Sequence, residues 1–474
     1  KDIKNDTIIF KGEDNLHYEK FQDGTVKCIE DEIPFEVPEG WAWCKLNDIY
    51  NFIDYRGATP TKITNGIPLV TAKNVKSGYI DYTIDDYISE EEFKERQQRG
   101  ISKKGDILFT TEAPLGNAAL ADMEKFSAGQ RLITFQQYGS KDELINYVML
   151  MFILSDFFQQ QLYVNKTGST VAGIKAAILK TLWIPVPPYN EQLRISNTLK
   201  SAINLIDSIS KNKEILSTSI SNTKSKILDL AIRGKIVPQD PNDEPASVLL
   251  ERIRAEKEEL IKQGKIKRDK KESVIFKGDD NSYYLRTGGV EESLEDWRFD
   301  DLPETWKICC LWELCDYGDC INVNTEDIAE DAWILDLEDI EKDTGTVLKK
   351  VTKAQRNSVS TKHKFHSGQV LYSKLRPYLN KVVLSDADGY CTSEILPLEF
   401  KNCVLPEYAR YYLMSGTFIA YANHCSYGVK MPRLGTTDGK KAIFSLPPLS
   451  EQKRIVETID FCFMQLNKIS EALA

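Results

Sequence analysis

Three sets of residues in this chain are of a type to do chemistry, and each is judged first by its spacing. Cys310, Cys315 and Cys320 stand five apart, with His363 and His366 downstream. Thiolates and imidazoles are zinc ligands, but structural zinc sites bring cysteines in close pairs, and no Cys-x-x-Cys occurs. Small buried thiols are therefore the favoured reading. The four histidines, His17, His363, His366 and His424, show no Ser-His-Asp arrangement. Glu399-Phe400-Lys401 has the outline of a nuclease triplet, which chance supplies freely. Neither Gly-x4-Gly-Lys-Ser/Thr nor a strand-linked Gly-x-Gly-x-x-Gly is present, so no P-loop nucleotide motor and no dinucleotide or adenosyl cofactor is expected.

What remains is charge and backbone access. Between Glu341 and Lys381 ten Lys or Arg face two acids, interleaved with Phe365, Tyr372 and Tyr378. Cations among aromatics suit a surface that tracks phosphates. The other reading is the solvated basic edge of a sheet. The candidates are Lys349, Lys350, Lys353, Arg356, Lys362, Lys364, Lys374, Arg376 and Lys381, with Lys73, Lys76, Arg96, Arg99, Lys103 and Lys104 in the first half. Most are expected on phosphates and a minority on base edges. Two small-residue loops, Lys166 to Lys175 and Gly428 to Thr437, add backbone that a phosphate can approach, or are ordinary turns. A formal net charge of −10 argues against indiscriminate coating of nucleic acid but leaves room for local basic faces.

These residues sit on a repeated frame. Pro187-Pro188-Tyr189-Asn190-Glu191-Gln192 starts a helix, with Asn190 as its expected N-cap, and Pro447-Pro448-Leu449-Ser450-Glu451-Gln452 repeats the start 260 residues later. The first helix carries Ile195, Leu199, Ala202, Ile206, Ile209, Leu216, Ile220, Ile227 and Leu230 at heptad spacing. The second carries Ile455, Ile459, Cys462, Leu466, Ile469 and Leu473. Forty-odd residues at ~1.5 Å each predict a rod of roughly 65 Å, whose seam is expected to pair with the second one. Ile8 to Asn15 returns as Val274 to Asn281. Val37-Pro38-Glu39-Gly40-Trp41 returns as Leu302-Pro303-Glu304-Thr305-Trp306, and Pro114 and Asn117 return as Pro377 and Asn380. Between such anchors the halves diverge. Short β-branched and aromatic runs predict strands, and Leu144 to Val164 predicts a helix with Tyr147, Met151, Leu154 and Phe158 on one face.

The expected organisation is an arm (1–36), a first globular block (37–188) and a long helix (189–234). A crossing segment with a second helix and basic linker (235–300), a second block (301–448) and a distal helix (449–474) follow. Eight of ten cysteines lie at or after Cys309, which favours a reducing cytoplasm over a disulfide scaffold. No apolar run is long enough to span a membrane. The chain opens on Lys1 within a repeat, so preceding residues are expected to be missing.

The paired Pro-Pro-x-x-Glu-Gln starts, the Val237-Pro238-Gln239-Asp240-Pro241-Asn242-Asp243-Glu244-Pro245 crossing, the Ile275-Phe276-Lys277-Gly278-Asp279-Asp280 stretch and the Pro-Glu-x-Trp block starts together resemble the specificity subunit of type I restriction-modification enzymes. The resemblance covers nearly the whole chain. It implies an α+β protein: two similar mixed α/β target-recognition domains, joined by long helices that pair as an antiparallel coiled coil in a pseudo-twofold internal repeat. It implies double-stranded DNA as ligand, read at a bipartite non-palindromic target. Two adenine-methylating modification subunits and ATP-dependent restriction subunits would be partners, with no cofactor and no catalytic residues in this chain. The alternatives are a stand-alone DNA methyltransferase or nuclease, and a coiled-coil scaffold without DNA affinity. Against the first, Val186-Pro187-Pro188-Tyr189 has Val where an amino-methyltransferase loop needs a polar acceptor, and Leu446 replaces it again in the second copy.

Overall fold

The computed structural model describes residues 7–55, 59–83, 85–138, 144–167, 172–265, 272–295, 301–356 and 359–473. It forms two compact units, Lys1–Ile209 and Ser210–Ala474.

Each unit builds its lobe around a strand whose two faces serve different cores. In the first, Ile107–Thr110 is buried at every position. Because successive side chains alternate, Ile107 and Phe109 enter a cluster with Phe135, Leu150 and Phe158, while Leu108 enters another with Ala119, Val75 and Leu132. The strand lies in an antiparallel sheet ordered Tyr50–Asp54, Leu132–Gln137, Ile107–Thr110, Ala118–Leu120. In the second unit Val370–Ser373 does the same. Val370 and Tyr372 join Tyr408, Tyr412 and Phe444, while Leu371 joins Val383, Cys391 and Ile395. Here the strand pairs with Val382–Leu384 and Ile395–Leu398, beside a separate five-stranded sheet. The two lobes thus share a central strand but differ in the sheets around it, which is why their sequences diverge between anchors.

The expected helix over Leu144 to Val164 is two helices, Asn146–Ile153 and Asp156–Val164. Ser155 interrupts it by accepting the Phe158 amide as an N-cap. In the first of them the buried residues are Val148, Met149, Leu150 and Ile153 and not Tyr147 and Met151, whereas Phe158 in the second is buried as expected. Pro406–Leu413 and Gly416–His424 repeat the pair, with Ser415 as cap. In each lobe a two-stranded ladder joins the start to the end, Ala42–Lys45 with Trp183–Val186 and Lys307–Cys310 with Ile443–Leu446.

The central helix runs Tyr189–Ala231 and the distal helix Leu449–Ala472. Asn190 is inside the first turn rather than at the cap, since both helices begin directly after the second proline. Gly234 follows the central helix at φ 67°, and a Cβ there would lie 2.5 Å from Pro303, so the crossing requires glycine.

The apolar seam is buried only in part. Ile195 and Leu199 are half-buried, with Ile195 against the first lobe's core. Ala202, Ile206, Ile209 and Leu216 face solvent, the two isoleucines being 60% and 58% exposed. In the second unit Ile220 is buried, Ile227 and Leu230 are half-buried, and Leu228, Ala231 and Ile232 share a core with Ile455 and Ile459. The direction there is antiparallel. Lys224 donates to Asn467 at 2.6 Å and lies over Phe463, whereas the Ile232 carbonyl accepts from Ser445, before the distal helix begins. Cys462, Leu466 and Leu473 are half-buried and Ile469 is exposed. The expected seam on the central helix is thus corrected: it is covered from Ile220 to Leu230 and exposed from Ala202 to Leu216.

The ten cysteines are free thiols, five of them, Cys309, Cys310, Cys315, Cys391 and Cys403, buried and Cys28 exposed. Burial pushes Cys310 up to about 12 and Cys403 up to about 11. Among the described residues no cluster of His, Cys, Asp or Glu is arranged to hold a metal ion, and no helix is long and apolar enough to cross a membrane. The linker residues 266–271 lie outside the described residues.

Candidate nucleic-acid interface

In the second lobe the central strand runs straight into Lys374-Leu375-Arg376-Pro377-Tyr378-Leu379-Asn380. Arg376 and Asn380 take left-handed backbone conformations, φ 50° and 49°, on either side of a short 3-10 turn. Three backbone links tie this loop to the small-residue loop. Arg376 N–H donates to the Pro432 carbonyl at 2.7 Å, Leu434 N–H donates to the Lys374 carbonyl at 3.0 Å, and Leu375 bridges Arg433. Arg433 is held by Glu394, its Nη2 lying 2.7 Å from a carboxylate oxygen. The edge is bare of cover, with Tyr378 48%, Tyr427 61%, Val429 101% and Met431 46% exposed.

The first lobe repeats the device with other side chains. Ala113, matching Arg376, has φ 47°, and Ile174 N–H donates to the Thr111 carbonyl while Glu112 bridges Gly173. Asn117 and Asn380 each brace their loop from within, donating to the carbonyls of Val75 and Met414. Beside the loop Tyr163 is 69% exposed, with the Lys166 ammonium 3.5 Å from its ring centroid. Residues 168–171 of the expected loop lie outside the described residues. The two loops of each lobe, far apart in sequence, therefore form one edge.

The candidate cations divide sharply by environment. Arg96 is buried, donating to Ser127 and the Ala128 carbonyl over the Tyr55 ring. Arg356 binds Asp336 and the fully buried Asp339. Lys362 is 2% exposed and donates to Ser360, and Lys381 donates to the Leu337 carbonyl. These four are turned into the lobes, a correction to their expected place on the surface. Lys76, Lys104, Lys349 and Lys350 pair at the surface with Asp81, Glu124, Glu338 and Asp386 respectively, Lys349 also lying 3.6 Å from the buried Asp339, while Lys353 is largely buried and binds both Glu330 and the Ile328 carbonyl. Such surface pairs contribute at most about 1 kcal/mol, so a phosphate can replace the acid. Lys73, Arg99, Lys103 and Lys364 are exposed. Lys374 and Arg376 are half-buried on the loop edge, without an ion pair among the described residues. His363, buried 2.8 Å from the Ile395 carbonyl, is pushed below the ordinary imidazole value chiefly by desolvation.

What the spacing did not reveal is how the lobes are mounted. Gln192 accepts the Ile145 N–H at 2.7 Å and donates to the Pro187 carbonyl, fastening the helix base to the lobe. Gln452 does the same with Leu405 N–H, Cys403 O and Pro447 O. The repeated Glu-Gln was the visible signal. Glu451 is buried too, accepting from Trp306 and Gln239, and burial raises its carboxyl above the ordinary range against those bonds. Arg454 holds Asp243 of the crossing at 2.7 Å.

Comparison with known proteins follows the same division into halves. The family model described as "Type I restriction modification DNA specificity domain" matches twice, at residues 38–217 and 303–472. The chain is 26% identical to the type I restriction enzyme EcoAI specificity subunit of Escherichia coli, covering 93% of this chain and 80% of that protein. It is 24% identical to the EcoEI specificity subunit of the same organism, covering 96% and 83%. A solved chain, from work titled as the assembly and conformational transition of the type I R-M system, superposes with a TM-score of 0.57 at 16% identity. That match covers 93% of this chain and 94% of the other.

Proposed function

The chain belongs to the type I restriction-modification DNA specificity family, and from that premise we propose how its two lobes divide the work. It is the DNA-recognition subunit of such a system, without catalysis of its own, assembling with modification and restriction subunits. Each lobe reads one half of a bipartite target, and the long helices act as the spacer. Because the matched loop positions carry different side chains, the halves differ and the target is not palindromic. Two modification subunits serve the two halves, adenine being the base they methylate.

One observation carries this reading: a loop pair bridged in the same way in both lobes, with a positive φ before its proline, carrying Arg376 on one copy and Ala113 on the other. A repeated frame with unlike tips is what two separate half-sites require. The phosphate contacts are assigned to the cations left outside the lobe interiors, Lys73, Lys76, Arg99, Lys103, Lys104, Lys349, Lys350, Lys364 and Lys374.

Methylome sequencing of cells carrying this chain with its modification subunits tests the proposal. A methylated motif of two unlike halves around a fixed gap is expected. A palindromic motif, or methylation by the purified chain alone, would overturn it.

A further inference from the structure

We propose that Arg376 reads a guanine in the major groove of the second lobe's half-site. The inference rests on the DNA-recognition reading above and narrows it to one side chain and one base.

The backbone at this position is unfavourable twice over. A residue with a side chain rarely adopts φ 50°, and a residue preceding proline is further restricted. Such conformations persist where the surroundings over-determine them, and they gather at functional sites. Here the surroundings are explicit, since the Arg376 amide is held by the Pro432 carbonyl and Leu375 bridges Arg433. Ala113 of the first lobe also has a positive φ, 47°, so the left-handed φ belongs to the frame and not to the arginine, although the Ala113–Pro114 peptide bond is cis.

The side chain is placed for a planar partner. Its Nε is buried and so closed to a base, and among the described residues no carboxylate pairs with the guanidinium, so the fork it can offer is Nη1 and Nη2. Arg433 one strand away shows the contrast, since Glu394 engages both its Nε and its Nη2. A guanidinium left without an acid offers two parallel donors, and the O6 and N7 acceptors of guanine match that fork.

The neighbours separate a base from a phosphate as the target. Tyr378, Val429 and Met431 stand exposed on the same edge. Apolar groups gain nothing beside a phosphate backbone. In the major groove they meet base edges and the thymine methyl. Lys374 is the residue of this loop suited to a phosphate, as a point charge without a fork.

The test uses the complex of the chain with its modification subunits and a DNA library randomised across both halves of the wild-type target. For Arg376→Ala and Arg376→Lys, one G·C position in one half should lose about 10- to 100-fold discrimination, with the other half unchanged. Lys374→Ala should weaken all sequences alike and lower the salt slope by about one. An unchanged target in both arginine variants would overturn the proposal, as would uniform weakening, which marks a phosphate contact. Arg376→Lys keeps the charge, so a loss of selectivity with wild-type melting excludes misfolding as its cause. If the wild-type complex itself methylates without sequence preference, the DNA-recognition reading fails, and not merely this assignment.

Discussion

A lysine or arginine says little about DNA until its carboxylates are counted. Arg356 lies between Asp336 and the buried Asp339, so Arg356→Ala should destabilise the second lobe by about 3 kcal/mol, measured by chemical denaturation, by leaving a buried charge unpaired. Lys364→Ala should change stability by less than about 0.5 kcal/mol and act on DNA affinity alone. Reversing Lys349 and Lys350 to Glu should weaken DNA binding and flatten its dependence on salt, followed by fluorescence anisotropy across salt concentrations. A pH effect belongs to Glu451. Its carboxyl is raised above the ordinary 4.5, so the native state holds more proton than the unfolded chain between the two values. Its contribution to stability therefore falls as pH rises through that window, and Glu451→Gln should remove the fall, read as melting temperature against pH. The basic stretch itself was plain in the sequence. Which of its members face inward was not, because Asp336 and Asp339 are brought to Arg356, and the Leu337 carbonyl to Lys381, only by the folded lobe.

At the scale of elements, the helix bases and the seam make opposite predictions. Gln452→Ala strips the partners from one amide and two carbonyls in a buried place, at a cost of about 2–4 kcal/mol. Gln192→Ala should act similarly on the first lobe. Along the helices, Ile455→Ala should cost about 2–5 kcal/mol, since Ile455 is fully buried, whereas Ile209→Ala should cost under about 0.5 kcal/mol in the isolated chain. Equal costs at the two isoleucines would show that the heptad pattern, and not the observed burial, describes the seam. Heptad spacing reports that residues share a face. It carries no information on how far a partner helix extends along that face, and here the seam is covered only from Ile220 to Leu230.

For the whole molecule the prediction is modularity. Each lobe has its own core clusters, a closing ladder between its start and end, and a glutamine clamp to its own helix. Replacing the first lobe with that of a relative, between the Pro-Glu-x-Trp start and the Pro-Pro helix start, should change one half of the methylated motif and leave the other intact. A change in both halves would show that the lobes do not read independently.

Repetition was legible from residues alone, because Pro-Pro-x-x-Glu-Gln, Phe-Lys-Gly and Pro-x-x-Asn recur at nearly constant offsets and each imposes a local geometry wherever it occurs. The two-lobed plan, the helix starts and the absence of a nucleotide motif followed from that local chemistry. The shared loop edge did not. Arg376 and Pro432 are 56 positions apart, and a hydrogen bond between such residues is decided only when the central strand and the closing ladder are packed. The burial of Arg96 and Lys362, and the solvent exposure of Ile206 and Ile209, were settled in the same way, by neighbours that only the folded chain supplies.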